Sequence, residues 1–432
     1  MMRIPLGPKQ LACLFLCAAL QFCLAGYSAA EEKSSPLAHY IAEAMAHNED
    51  ILAARAELQA QAERVRQHGV LPDPKLAVHY YIEPVETRTG PQEAAISLSQ
   101  GLPWFGKLSL AREEEKQGVG MAAARLAAVE LRVVRLLKAA YIHYSFNLEA
   151  QKIAGENLEL LRYLESVAYS RYSGGKLDFA SVLRIQMQVA RSQESLASLQ
   201  DQAQPLRAAL NTLMGADHGL KRGEIQGLIE VELPNPDLDF QALARAKSPE
   251  LRAAQAQVKR ERVGLKRAHR EFYPDLALSL KTILTGPAEF GDPPDSGNDP
   301  IIAGLTLNIP LFQDRRQGAV AEQEAAIRSS RLTLQSRERA LALALENALY
   351  GYRQAQRQAQ LYNTELIPKV RQELEVVLKG FENGQATVKD LIEAQQDLLD
   401  FGLKSRKAVA DQAVMVARLE ELVGLTLAPW TE

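Results

Sequence analysis

The residues that usually carry chemistry are sparse in this chain and badly spaced for it. None of the seven histidines (His39, His47, His68, His79, His143, His218 and His269) lies two to five residues from another histidine or from a cysteine, so no metal-ligand spacing forms. No Gly-x-Ser-x-Gly turn and no phosphate-binding glycine loop occurs. All three cysteines, Cys13, Cys17 and Cys23, fall within the first 30 residues, which leaves the remainder without disulfides or thiolate ligands. Catalysis finds no support, and no cofactor or resident metal is expected. His143, in AAYIHYSF, reads as a packed helix residue, and His79 as a lone side chain on the polar side of a strand. The chain has 50 basic and 53 acidic side chains, and removing Arg3 and Lys9 with the leader leaves a net charge of about −5. Nothing in that balance attracts nucleic acid.

The leader, residues 1–30, has a short basic start, an apolar run from Leu11 to Leu24, and Ser28 and Ala30 at the two positions that a signal peptidase requires to be small. Cleavage before Glu31 is expected. The apolar run is about 14 residues, short of the roughly 20 that span a bilayer. Gln21 and Phe22 precede Cys23 where lipid attachment needs small residues. The chain therefore reads as exported, and no later segment approaches a helical membrane span.

The elements that follow alternate between two hydrophobic periods. From Ile301 to Ile309 every second residue is apolar, which is a strand; beyond Pro310 the sequence becomes Ala-, Glu-, Gln- and Arg-rich, which is a helix. The same switch occurs from Ala94 to Lys116, where Leu102, Pro103, Trp104 and Phe105 align with Ile309, Pro310, Leu311 and Phe312 at an offset of 207. Two further strands are expected near 75–84 and 275–285, beside those at 92–102 and 301–309. Leu76, Val78, Tyr80 and Ile82 share one face of the first, and Leu276, Leu278 and Leu280 share one face of the third. The bland reading is a small sheet lying on helices. Strands of this length, apolar on one side in an exported chain, also fit a membrane barrel wall, although four strands cannot close one and an open edge cannot sit in lipid. Several chains would have to contribute.

Two very long helices are expected, Gly106 to about Ser170 and about Arg315 to Lys379, each roughly 100 Å. Pro368 should kink the second and remove one backbone hydrogen bond. Return helices run from about Leu177 to Met214, interrupted by Pro205, and from about Ala386 to Val423. Each strand pair is preceded by a helix of roughly 30 Å, started by Asn48 in one half and by Ser248-Pro249 in the other. That helix and a return helix together match the length of a long one, so two shorter helices should stack end to end beside it. The turns RYSGGKLDFASVLRIQ and GFENGQATVKDLIEAQ align at an offset of 209, as do Gly215 and Gly424. The chain is an internal duplication: repeats at 31–215 and 240–424, a linker at 216–239 and a tail at 425–432.

Two copies of strand pair, Pro-Phe junction, very long helix and glycine turn, with LPDP, GLPWFGK, YPDLALS and NIPLF in order, resemble the outer-membrane efflux (TolC) family. The resemblance covers everything beyond the leader. It implies a mainly α fold with a β-barrel part: a homotrimer whose twelve strands, four per protomer, form an outer-membrane barrel and whose helices continue as a periplasmic tunnel. It implies a passive exit duct set in outer-membrane lipid, opened at its periplasmic tip by an adaptor (membrane fusion protein) linked to an inner-membrane pump of the RND or ABC type. In the family's pattern two acids three apart near the second tip narrow the entrance; the matching residues are Asp390 and Glu393, and Ser181 stands where the first tip's acid is expected. Local pairing of the acids with Lys389 on a solvated helix face is the plainer alternative. Gly175, Leu177, Gly384 and Thr387 match positions that meet the adaptor, and Trp104, Phe105 and Phe312 mark the barrel interface. Cargo is not readable, though the compact chain and its PWFGK junction resemble the heavy-metal branches. The competing reading is a soluble periplasmic coiled-coil adaptor or scaffold, which leaves four lipid-type strands unexplained.

Overall fold

A computed structural model describes residues 36–220, 225, 227–235, 238–291 and 293–430. The leader, with the expected cleavage site, and Ser35 lie outside the described residues. Among the described residues nine α-helices and four strands follow in the order α1 (Pro36–His47), α2 (Glu49–Gln67), β1 (Lys75–Thr87), β2 (Gly90–Leu102), α3 (Lys107–Ser173), α4 (Phe179–Leu213), α5 (Phe240–Lys247), α6 (Pro249–Arg270), β3 (Asp275–Thr285), β4 (Ile301–Asn308), α7 (Asp314–Leu361), and, after a π-helical turn at Tyr362–Leu366, α8 (Ile367–Asn383) and α9 (Val388–Val423). The first hairpin is longer than its sequence pattern implied, with only Arg88 and Thr89 between its strands. β1 to β4 form one antiparallel sheet in chain order, because β2 pairs with β3 and joins the two hairpins.

α3 has 67 residues and is roughly 100 Å long. It packs against α2 and α4 on one side and α6 and α9 on the other, while α6 and α9 also pack against α7. The shorter helices do stack end to end. Asn48 caps α2, accepting from the Ile51 N–H (3.2 Å), and its side-chain amide donates to the Leu213 carbonyl at the end of α4 (2.9 Å). A methyl group on Gly215 would lie 2.4 Å from the His47 carbonyl oxygen, and one on Gly424 2.9 Å from the Lys247 carbonyl oxygen. Both glycines also have positive φ, so the two junctions use the same device in the two repeats.

Proline acts differently from expectation at two places. α4 runs unbroken through Pro205. At Pro368 the long helix is not merely kinked: the backbone shifts to a π turn at Tyr362–Leu366 and restarts, so that the proline occupies the first turn of α8, where its missing N–H costs nothing.

The largest core lies at the equator, where Leu37, Tyr141, Leu210, Met214, Tyr352 and Leu419 meet the linker residues Ile225, Ile229, Val231 and Leu233. The irregular linker is pinned by side chains: Asn211 donates to the carbonyls of His218 and Leu220, the Tyr352 hydroxyl accepts from the Leu233 N–H, and Gln412 donates to the Val231 carbonyl. Such bonds are what allow backbone without regular structure to be buried. The tail is fixed by one carboxylate. Glu420 pairs with Lys138 (2.6 Å), both buried, and accepts from the N–H groups of Leu427 (2.9 Å), Ala428 (3.4 Å) and the Trp430 indole (3.0 Å), whose ring covers the ammonium at 4.1 Å. Burial pushes the Lys138 ammonium below the usual lysine value, and Glu420 opposes that shift. Glu420→Ala should therefore cost about 3–5 kcal/mol, the penalty for leaving a buried charge without its partner. Denaturant unfolding followed by tryptophan fluorescence checks this, with Arg55→Ala, at an exposed pair, changing stability by less than about 1 kcal/mol.

Candidate functional site

The sheet has two unlike faces. Register places Leu76, Leu98, Leu280 and Ala303 in one row and Val78, Ile96, Thr282 and Ile301 in the next. This side is apolar and open: Leu76 and Leu305 are each 68% exposed and Ile82 is 91% exposed. The opposite side carries Lys75, Ala77 and His79 on β1, Ser97 and Ser99 on β2, Ser279 and Lys281 on β3, and Gly304 and Thr306 on β4. An apolar surface of this extent on a water-soluble monomer would be a liability. It is what a barrel wall presents to lipid.

At the foot of the sheet the expected interface aromatics separate. Trp104 is half-buried and stacks on Tyr273 (5.8 Å between centroids), while Phe105 and Phe312 project, at 81% and 86% exposure. The junction itself is held by charge. The Asp275 carboxylate accepts from the Trp104 N–H (2.8 Å) and from the ammonium of Lys107, which is buried and also reaches Glu271 (3.2 Å). The strand-to-helix turn of one repeat is thereby fixed to the helix-to-strand turn of the other.

The two helical tips are built alike. Lys176 donates its N–H to the Arg171 carbonyl (2.8 Å) and Gly175 to that of Tyr172 (2.9 Å); Gln385 donates to Gly380 (2.7 Å) and Gly384 to Phe381 (3.1 Å). Each return helix then starts at a capped residue. In the second tip Thr387 and Asp390 form a reciprocal capping box: the Asp390 N–H donates to the Thr387 hydroxyl, and the Asp390 carboxylate accepts from the Thr387 N–H (2.9 Å) and hydroxyl (2.8 Å). In the first tip Asp178 is the cap, accepting from the Ser181 N–H (3.1 Å). Asp178 corresponds to Thr387 and Ser181 to Asp390, so the acid has moved from one capping position to the other. The first tip keeps its carboxylate after all, three residues ahead of Ser181. The aligned capping patterns Asp-x-x-Ser and Thr-x-x-Asp carried that signal. Backbone and hydroxyl donors of Thr387 hold Asp390 below the usual aspartate value, and Ser181 does the same for Asp178.

Glu393 is exposed and pairs with Lys389 (3.4 Å). Gly175, Gly384 and Thr387 are exposed, and Leu177 is half-buried against the tip core of Leu161, Leu164, Val182, Ile185, Phe381 and Leu391. Arg171, which the sequence did not single out, lays its guanidinium over the Phe381 ring (4.9 Å) and ties the tips together. His143, expected to be packed, is exposed on α3. Among the described residues no helix is long and apolar enough to cross a membrane, and no group of three metal-ligating side chains occurs.

An apolar-faced sheet with two open edges, carried on helices of about 100 Å, defines a channel protomer that sets a barrel in the outer membrane and a helical wall in the periplasm. Comparison agrees. The family described as "Outer membrane efflux protein" matches residues 40–216 and 241–425. The chain belongs to that family. It is 23% identical over 383 residues to the cobalt-zinc-cadmium resistance protein CzcC of Cupriavidus metallidurans, covering 87% of each, and 24% identical to the probable outer membrane lipoprotein SilC of Salmonella typhimurium over 55% of this chain and 54% of that one. The fold is shared with VceC of Vibrio cholerae (TM-score 0.75, 19% identity, 90% of this chain and 96% of that one) and with CusC (TM-score 0.76, 16% identity, 90% and 92%). The protein is an outer-membrane efflux channel reaching into the periplasm, of a family of passive channels. The soluble adaptor reading gains nothing from fold or relatives.

Two outcomes follow. Leu280→Lys on the lipid side should cost about 2–4 kcal/mol of membrane insertion, whereas His79→Lys on the other side should be tolerated; the yield of folded protein in outer-membrane fractions reports both. At the tips, both depressed aspartates contribute fully above the ordinary value of 3.8, and the contribution is lost as pH falls through their lower folded values. A spin label at Gln385→Cys should become more mobile between pH 5 and pH 2, and Asp390→Asn should abolish most of that change.

Proposed function

We propose that three copies assemble into the exit duct of a tripartite efflux system, each adding four strands to a twelve-stranded barrel, with a periplasmic adaptor at the tips and an inner-membrane pump of the RND or ABC type behind it. The observation that carries this reading is the sheet itself: β1 and β4 leave their outer edges unpaired beside a lipid-type face, and other copies of the same strands are the natural partners. Gly175, Leu177, Gly384 and Thr387, at the ends of the helical hairpins, are the adaptor's docking points.

Asp390 and Glu393 narrow and charge the entrance. Repeated by threefold symmetry they would set six carboxylates around one opening, repelling each other and concentrating cations. Their local partners do not cancel this, because Lys389 and Glu393 are both exposed and surface pairs are weak. Divalent metal ions are the cargo this charge favours, and the name of the relative CzcC, a cobalt-zinc-cadmium resistance protein, points the same way.

The native mass of the mature protein, extracted in mild detergent from outer membranes, should be about three times that of the chain. Asp390→Asn with Glu393→Gln should lower cation-over-anion selectivity several-fold in planar bilayers at 0.1 M salt and have little effect at 1 M, where charges are screened within about 3 Å. Selectivity unchanged at low salt would remove the acidic pair from the entrance.

A further inference from the structure

The exposed side of α6 is strongly basic. The helix has seven lysine and arginine side chains against two acidic ones, whereas α2, its counterpart in the first repeat, has three against four. Arg260 and Arg267 pair with Glu115 (3.7 Å) and Glu114 (3.0 Å) of α3. The other five, Arg252, Lys259, Arg262, Lys266 and Arg270, are exposed, share one face, and have no carboxylate partner among the described residues. At the offset of 200 that aligns Glu250 with Asp50, the matching residues are Leu52, Gln59, Ala62, Arg66 and Val70, and Arg66 pairs with Glu63 (3.1 Å). The duplicated wall therefore does not need this stripe for its own packing.

The stripe looks outward from the wall. Asp275 projects from the polar side of the sheet, so Lys107 and Glu271, which gather at and beside it, lie toward that side as well. Helical rotation of about 100° per residue turns Lys259, Arg262 and Lys266 away from Glu271. Both flanks of α6 are filled by α3 and α7 of the same chain, which leaves no flank for a neighbouring copy. At the head of the stripe is a cleft of about 660 Å³ lined by Leu110, Lys266, His269, Arg270, Phe272 and Tyr273. Arg270 is held in place there: its guanidinium lies 5.3 Å from the centre of the Tyr273 ring, and it passes over Gly106, where a methyl group would come 3.5 Å from Nε. Tyr273 in turn stacks on Trp104, and three residues beyond it Leu276 begins the apolar side of β3.

We propose that this cleft binds the headgroup phosphate of an anionic phospholipid in the periplasmic leaflet, with Lys266 and Arg270 on the phosphate oxygens and the acyl chains rising along Leu276 and Leu278. A guanidinium offers phosphate a planar fork of donors, and an ammonium adds a point charge. Aromatic side chains with a polar edge, here Tyr273 and Trp104, collect at the boundary between membrane and water. Cations in a last helical turn also complement the helix dipole, but that effect fades within a turn and does not account for Arg262, Lys259 or Arg252. Arg262, about 6 Å below Lys266 along the helix, is near enough to the headgroups to attract them through water. The bound lipid would hold the strand-to-helix junction at a fixed depth, a role separate from the tips and the lumen.

Tryptophan fluorescence reads the site directly. Of the two tryptophans, Trp430 is tied to Glu420 and Lys138 at the equator, about 48 Å along α3 from Gly106 and out of reach of acyl chains, so quenching by brominated chains reports Trp104. The whole channel is placed in phosphatidylcholine nanodiscs that contain brominated phosphatidylglycerol or brominated phosphatidylcholine. The anionic lipid should reach half-maximal quenching at a mole fraction at least about fivefold lower, since each basic side chain at an anionic surface favours it by about that factor. Lys266→Gln/Arg270→Gln should remove the difference. Should that pair fail to assemble, Lys266→Gln alone, which leaves Arg270 on Tyr273, should lower the preference several-fold. Equal quenching by the two lipids in the unaltered channel, or an undiminished preference in the folded variant, overturns the proposal. Glycerol 3-phosphate, which has the phosphate without the chains, should leave the preference in place; its abolition by that competitor would make the cleft a site for free phosphate esters and overturn the lipid assignment.

Discussion

A backbone edge cannot face hydrocarbon, and most of this structure follows from that rule. Each N–H and C=O left unpaired in lipid costs several kcal/mol, so a spanning sheet has to close. Four strands are too few to close alone. The chain therefore carries a surface that is unfavourable in isolation, an apolar face flanked by two open edges, and assembly is the condition under which that surface becomes stable. Everything below the sheet must hold it at the right height and angle. The Asp275, Lys107 and Glu271 cluster fixes the turn between strand and helix, and the stacked helix columns set the distance from membrane to entrance.

The columns work because lengths match. A helix of 67 residues has no single neighbour of its own length; it has shorter ones stacked end to end, joined where a glycine lies so close to a backbone carbonyl of the next helix that no side chain would fit. The equatorial core is the filler of those junctions. It gathers the linker and the tail around buried side chains such as Tyr352 and Glu420, which satisfy backbone N–H groups that the missing helix would otherwise have bonded.

Periodicity made the architecture legible. The change from a two-residue to a helical period at Pro103 and Pro310, and the fixed offsets between repeats, were enough to place both hairpins, both long helices and both tips. What periodicity does not encode is how a local break is absorbed. Pro205 passes through α4 without ending it, and Pro368 is accommodated by a π turn upstream that the composition of YNTEL does not announce. The Lys138–Glu420 pair joins residues 282 positions apart, and no local pattern marks either partner. At the tips the sequence located the acids of the second hairpin, yet the plain search for an acid at Ser181 passed over Asp178, which does the same capping work from the other end of the motif.

That exchange shows what duplication preserves. The two tips share backbone geometry, a glycine in the left-handed region and one capping carboxylate, so the demand conserved between them is helix initiation with negative charge at the start of the return helix, where the helix dipole favours it. The identity of the position is free to drift. Between the repeats the long helices have drifted in another respect: α3 is continuous and its counterpart is divided at the π turn. The two halves of the duplicated wall thus differ in continuity, with an unbroken helix in one and a divided helix in the other. The broken half is still tied across the wall at that point, where Ser405 of α9 donates to Asn363 within the π turn (2.6 Å) and a small cluster of Ala359, Ala408 and Val409 packs beside it.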